Sequence, residues 1–261
     1  MGRILAVANQ KGGVGKTATA VNLAAALGAA EKRVLLVDCD PQGNATTALG
    51  SEKTMGHGTV YDLLSGARQV HEVVRRVAPP YLDLVASVPD LSGAEVELVH
   101  VPQREFRLRH ALQAGCSAYD LVLLDCPPSL GLLTLNALVA ADGVLAPLQC
   151  EFHALEGLAQ LIRTVEIVRE RLNPGLTLAG IVLTMYDAES GLSRQVAEEV
   201  RQHFGDQVFA TVIPRDRRLA EAPGFGKPAV WYDVRSAGAL AYLGLAQEIL
   251  AGRGLKEQDH G

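Results

Sequence analysis

Residues 8–19 read Ala8-Asn9-Gln10-Lys11-Gly12-Gly13-Val14-Gly15-Lys16-Thr17-Ala18-Thr19. Three glycines closed by a lysine and a hydroxyl residue are the means to grip a phosphate chain. Gly12, Gly13 and Gly15 let the backbone curl so that successive N–H groups point at one anion. The helix that follows adds its positive end. Lys16 is placed to reach the β- and γ-phosphates of a nucleotide, and the Thr17 hydroxyl to sit on Mg²⁺. The spacing departs from the usual phosphate loop, because Gln10 stands where a glycine is expected and a second lysine, Lys11, opens the turn. Lys11 reads either as a solvated loop charge or as a group reaching a phosphate on a facing subunit.

Two further segments carry carboxylates beside such a loop. One reads Asp38-Cys39-Asp40-Pro41-Gln42-Gly43-Asn44 and the other Asp125-Cys126-Pro127-Pro128-Ser129. An aspartate closing an apolar strand beside a phosphate loop holds Mg²⁺ directly or through water. Asp125, which closes such a strand, is therefore a candidate metal group with Thr17, and Asp40, two residues past the strand end at Asp38, is a second candidate. Asp38 and Asp40, two apart, would share a face in an extended chain. One could orient an attacking water while the other helps position Mg²⁺.

The elements that position these groups follow from hydropathy. Ile4–Ala8 reads as a buried strand and residues 17–28 as the helix after the loop. Further apolar runs at 34–38, 82–88, 121–125, 143–148, 178–184 and 208–213 read as strands. Helical patterns fall near 103–114, 129–140, 154–172, 192–204 and 236–251, the fourth with a stripe of Leu192, Val196, Val200 and Phe204. Continuous apolar character means burial on both faces, as in a parallel sheet covered by helices. The alternation predicts an α/β fold with a doubly wound, mostly parallel sheet, whose ligands bind beyond the strands' carboxyl ends. Residues 50–60 read as a loop with freedom to move, and 252–261 as a polar, frayed tail.

Bulk properties set limits. The 261 residues suffice for one large domain, read as spanning 1–261, and 48% hydrophobic with 20% charged residues is a globular composition. A net charge of −5 means that any nucleic-acid binding must use a local patch. Cys39, Cys116, Cys126 and Cys150 are scattered with no C-x-x-C pair, which favours core packing and a reducing, cytoplasmic setting. The first strand begins at once, so no signal peptide is expected, and no apolar run is long enough for a membrane span.

The run Lys11-Gly12-Gly13-Val14-Gly15-Lys16-Thr17 resembles the deviant Walker A box of the ParA/MinD family of P-loop ATPases. Asp38–Asn44 and Asp125–Ser129 resemble its second and third signatures. Glu151–Gly157, Thr184–Asp187 and Ile213–Arg215 through Ala222-Pro223 resemble segments of its ParA members, so the likeness covers residues 3–250 or thereabouts. It implies the P-loop NTPase fold and an ATPase that uses Mg²⁺ with ATP. The phosphate-binding set it implies is Lys11, Gly12, Gly13, Val14, Gly15, Lys16, Thr17 and Ala18, with Lys11 crossing to the partner's nucleotide in a sandwich dimer. By the same resemblance Asp40 positions the hydrolytic water, which makes Lys11, Lys16 and Asp40 the implied catalytic set. The two acidic segments are nucleotide-sensing switches, and hydrolysis is slow without a partner. Adenine lies by Met185, Pro214 and Arg215. Ala18 stands where the family usually has Thr, a mild change because the N–H remains.

Within the family the resemblance points to short Soj-like partition ATPases, whose ATP dimer binds double-stranded DNA without sequence preference. A ParB-like protein stimulates them, and they serve chromosome or plasmid partition on the nucleoid. The tail Gly254–His260 lacks the cationic amphipathic helix of MinD, so no membrane binding is expected. The cysteine spacing does not suit an iron–sulfur cluster. The first strand leaves no room for a helix-turn-helix before it. The implied DNA contacts are Arg218, Arg194 and Lys227, against the bland alternative of surface pairs with Glu198, Glu199, Asp216 and Glu221. Glu189 stands where Soj-like proteins place a DNA-contacting arginine. That departure keeps open a MinD-like ATPase that positions protein cargo and does not bind DNA.

Overall fold

The computed structural model describes residues 2–77 and 81–252; the expected tail from 253 onward lies outside the described residues. Strands β1 (Arg3–Val7), β2 (Val34–Asp38), β3 (Val74–Val77), β4 (Leu82–Val85), β5 (Leu121–Asp125), β6 (Gly143–Gln149), β7 (Thr177–Tyr186) and β8 (Val208–Pro214) form one sheet. Their order is β3-β4-β2-β5-β1-β6-β7-β8. Every neighbouring pair is parallel except β3 with β4. The doubly wound, mostly parallel sheet expected from the sequence is thus present, with an antiparallel edge that the hydropathy did not reveal. The cause is β3 itself, whose Val-Arg-Arg-Val carries two central charges and whose residues are only partly buried or exposed.

The helices are α1 (Lys16–Ala29), α2 (Asn44–Ala48), α3 (Val60–Ser65), α4 (Val70–Val73), α5 (Leu91–Glu97) and α6 (Arg107–Gly115). They continue as α7 (Leu132–Ala140), α8 (Ala154–Arg171), α9 (Gly191–Phe204), α10 (Arg217–Glu221), α11 (Ala229–Tyr232) and α12 (Ala237–Leu250). Strand residues alternate between two cores. Leu5, Val7, Leu36 and Leu123 pack with α1, α11 and α12, whereas Ile4, Ala6, Val37 and Leu124 pack with α3, α6, α7, α8 and α9. The alanines Ala20, Ala24, Ala25 and Ala26 bury α1 on nearly all sides, between the sheet and α12. Of the expected α9 stripe, Val196 and Val200 are buried, but Leu192, in the helix's first turn, is 46% exposed.

The same alternation aims the chemistry. Asp38 ends the series Val34, Leu36, and Asp125 ends Leu121, Leu123, so both carboxylates face the α1 side. The two residues are paired in register on neighbouring strands. The phosphate loop leaves central β1 between β5 and β6, at the sheet's carboxyl end, where the strand order reverses.

Candidate nucleotide site

Gly15 caps α1 in a left-handed conformation (φ 88°) without a side-chain cap, and Gly13 also has positive φ (78°). A side chain at either would be strained. Among the described residues no acceptor takes the N–H groups of Gly12, Gly13, Gly15, Lys16 or Thr17. Those of Gly15, Lys16 and Thr17 are orphan donors of a helix start, and those of Gly12 and Gly13 belong to the loop before it. The loop is held from outside: Asn9 donates from Nδ2 to the Pro147 carbonyl (2.8 Å), and its Oδ1 accepts the Lys11 N–H (3.0 Å). The buried Thr184 hydroxyl donates to the Val14 carbonyl at 2.9 Å. Neither Asn9 nor Thr184 was singled out from sequence as a loop anchor, because nothing in the loop's spacing reports what its backbone rests on.

Lys16 is buried and donates from Nζ to the Lys11 carbonyl at 3.0 Å. Burial lowers its pKa, and the charges of Asp125 and Asp40 oppose that shift. Asp125 is fully buried, and neither carboxylate oxygen has a hydrogen-bond partner among the described residues. Its pKa is pushed well up, chiefly by burial and then by the Asp38 charge; the Thr17 hydroxyl lies near enough to favour the anion without bonding it. An anion with two orphaned oxygens in a dry site fits a cation ligand. No cluster of three or more His, Cys, Asp or Glu side chains poised for a metal occurs among the described residues. Mg²⁺ takes one or two carboxylates and leaves other positions to water and phosphate.

Asp38 departs from the sequence expectation. Its Oδ2 accepts both the N–H (2.8 Å) and the hydroxyl (2.7 Å) of Thr46, and its Oδ1 accepts the Asp40 N–H (3.2 Å). The Thr46 hydroxyl in turn accepts the Ser87 N–H at 2.9 Å. Asp38 is thus an anchor for the turn and for α2, because β2 ends there and Asp40 lies beyond it, off the strand. Burial raises the Asp38 pKa to about 6 against the lowering hydrogen bonds from Thr46. Asp40 is nearly buried, and its Oδ1 accepts the Gln42 N–H at 2.9 Å.

Lys11 forms a hydrogen-bonded ion pair with Glu151, and Gln149 donates to the other Glu151 oxygen at 2.8 Å. Both charged side chains are about 40% exposed or less, on the open side of the loop. Ala18 lies at the loop's rear and lines two neighbouring cavities. Met185, Pro214 and Arg215 line one of these, a cavity of about 310 Å³ with Gly15, Thr184 and Tyr242. Met185 has positive φ (49°), and Arg215 donates its N–H to the Tyr186 carbonyl at 3.0 Å. The expected phosphate, metal and base residues therefore converge on one continuous region.

The three expected DNA contacts do not cluster around a single element. Arg218 pairs with Glu221 (2.8 Å) and Asp233 (3.4 Å) and lies 5.9 Å from the Tyr232 ring centre. Arg194 donates to the Ala188 carbonyl from the opposite face of the sheet. Lys227 is exposed beside a cavity of about 260 Å³ that also meets Thr17 and Asn44. All lie toward the sheet's carboxyl end, after β7 or β8.

A mostly parallel sheet with a lysine-bearing glycine loop on its central strand and acidic neighbouring strand ends defines a P-loop nucleoside triphosphatase. Residues 2–178 match the family described as "AAA domain". The chain is 54% identical over 250 residues to the chromosome partitioning protein ParA of Myxococcus xanthus, covering 96% of this chain and 88% of that one. It is 53% identical over 251 residues to the sporulation initiation inhibitor protein Soj of Bacillus subtilis, covering 96% and 99%. The fold superposes with a TM-score of 0.84 on a Mycobacterium smegmatis protein named cobyrinic acid a,c-diamide synthase, solved with ADP and magnesium, at 39% identity over 97% of this chain and 95% of that one. The chain belongs to the ParA/Soj family of chromosome-partitioning P-loop ATPases.

Proposed function

We propose that this chain hydrolyses ATP with Mg²⁺ and uses the ATP-bound state to pair two copies face to face, forming a dimer that binds DNA without sequence preference in replicon partition. The observation that carries the ATPase part is the orphaned, fully buried Asp125 carboxylate beside Lys16 and below the uncapped start of α1. In this reading Lys16 and the free N–H groups of the loop bind the phosphates, and the base lies against Met185, Pro214 and Arg215. Thr17, Asp125 and Asp40 hold Mg²⁺, which supplies charge neutralisation on the phosphates. Asp40 holds a water in line with the γ-phosphate; its oxygen bonds to phosphorus as the bond to the bridging oxygen breaks, releasing ADP and phosphate. Such transfer rests on positioning and electrostatics, so basal turnover is slow.

Lys11 leaves Glu151 to reach the partner's nucleotide. Arg218, Arg194 and Lys227 contact DNA phosphates, and a ParB-like protein stimulates hydrolysis and splits the dimer, releasing DNA. This cycle places the protein on the nucleoid. For Arg218 the DNA competes with Glu221 and Asp233, so its contact is gained at the loss of two ion pairs. Phosphate release by Asp40→Ala is expected to fall at least tenfold with ATP affinity within about threefold of the parent, measured by single-turnover assay and nucleotide titration. Unchanged turnover in that variant would remove Asp40 from its role.

A further inference from the structure

The loop after α2 is fastened to the turn that carries Asp40. Arg75, on edge strand β3, is half-buried and reaches across the loop. Its Nη1 donates to the Ser51 hydroxyl (2.9 Å) and the Glu52 carbonyl (2.6 Å), and its Nη2 to the Thr54 (3.0 Å) and Gly58 (3.1 Å) carbonyls. Residues 51–58, expected to move, are thus held by one guanidinium fork. Between those contacts Lys53 turns back and donates from Nζ to the Gln42 carbonyl at 2.6 Å. The same Gln42 gives its N–H to the Asp40 carboxylate, and Gly43 gives its N–H to the Asp40 carbonyl at 2.8 Å. Gly43 has positive φ (61°), and a Cβ there would meet the Lys53 Cε at 2.9 Å. The lysine stem therefore lies flat on the turn. At its start the loop is also wedged, since a Cβ on Gly226 would come within 2.7 Å of the Gly50 Cα.

We propose that Lys53, braced by Arg75, is a positioning residue for hydrolysis: it holds the Asp40–Gly43 turn so that the Asp40 carboxylate keeps the attitude needed to orient water. This rests on the reading that Asp40 positions the hydrolytic water. Lys53 donates to the Gln42 carbonyl, and Gln42 in turn holds the Asp40 carboxylate, so loss of Lys53 acts through Asp40 on the step after binding. A charged donor on a carbonyl is among the stronger hydrogen bonds, and small misplacements at a reacting centre have large kinetic effects.

The test compares the full chain with Lys53→Ala, Lys53→Arg and Lys53→Met. Single-turnover phosphate release and ATP affinity are measured together with hydrogen exchange of the 40–46 segment without nucleotide. The expected result is a three- to tenfold drop in turnover for Ala and Met, KM for ATP within twofold, recovery by Arg, and exchange at 40–46 at least threefold faster in Ala and Met only. Unchanged exchange at 40–46 in the Ala and Met variants overturns the proposal whatever the turnover. Faster exchange with unchanged turnover overturns its catalytic part. Faster exchange in a protein whose parent form shows no turnover would instead remove the hydrolytic reading while leaving the turn-holding role of Lys53 in place.

Discussion

Asp125 carries an unusual burden at the residue level: a carboxylate fully buried with both oxygens unpartnered among the described residues. In metal-free protein its folded pKa stands well above the unfolded value, as does that of Asp38 at about 6. Folded protein then binds more protons than unfolded protein above pH 4, so metal-free stability falls as pH rises from about 4 through 6 and beyond. Asp125→Asn is expected to flatten that slope and raise metal-free stability at pH 7.5 by about 1 kcal/mol, while abolishing Mg²⁺-dependent hydrolysis. The gain is limited because Asp125 is also the leading anion favouring the Lys16 ammonium. Urea melts at pH 5 and 7.5, with a turnover assay, check both. Lys16, Thr17, Asp40 and Asp125 were legible in the sequence because short spacing to a glycine loop or strand end defines them. Asn9, Thr46 and Lys53 were not, because their partners lie up to about 140 residues away or depend on a turn's final shape.

Thr46 joins three elements, since its hydroxyl bonds Asp38 at the end of β2 and the Ser87 N–H beyond β4 while its own N–H starts α2 on the same carboxylate. Thr46→Val keeps the shape but leaves a buried carboxylate and a buried N–H short of partners. The expected loss of stability is about 2–3 kcal/mol, read from urea unfolding, with faster hydrogen exchange across 40–48. Long strands and helices could be read from periodicity, and β1, β2, β5, β6, β7 and β8 fall within about two residues of expectation. The short helices α2, α3, α4, α10 and α11, each six residues or fewer, could not, since one or two turns carry too little periodicity to register. Strand β3 escaped notice because Arg75 and Arg76 interrupt its apolar character, and those charges suit an edge. The loop at 50–60 looked mobile from its glycines, but the residue that holds it, Arg75, lies on that same unrecognised strand.

Across the whole molecule, the nucleotide groups gather at the carboxyl end of the sheet, and Lys11 with Glu151 stands on the open side of the loop. The basic residues lie around the same end on both faces, on a chain of net charge −5. A single copy presents these cations apart and, for Arg218, paired with acids. In the proposed reading, two copies side by side bring these cations to bear on DNA phosphates, and that contact should weaken steeply with salt. The most direct measurement is DNA binding by the purified chain with ATP, ADP or no nucleotide across a salt series, with Lys11→Ala and Arg218→Ala alongside. Binding with ATP alone, falling at least tenfold in either variant and lost at high salt, is the predicted result. No DNA binding under any nucleotide, with ATP-dependent dimerisation intact, would contradict the DNA-binding reading and direct attention to protein cargo.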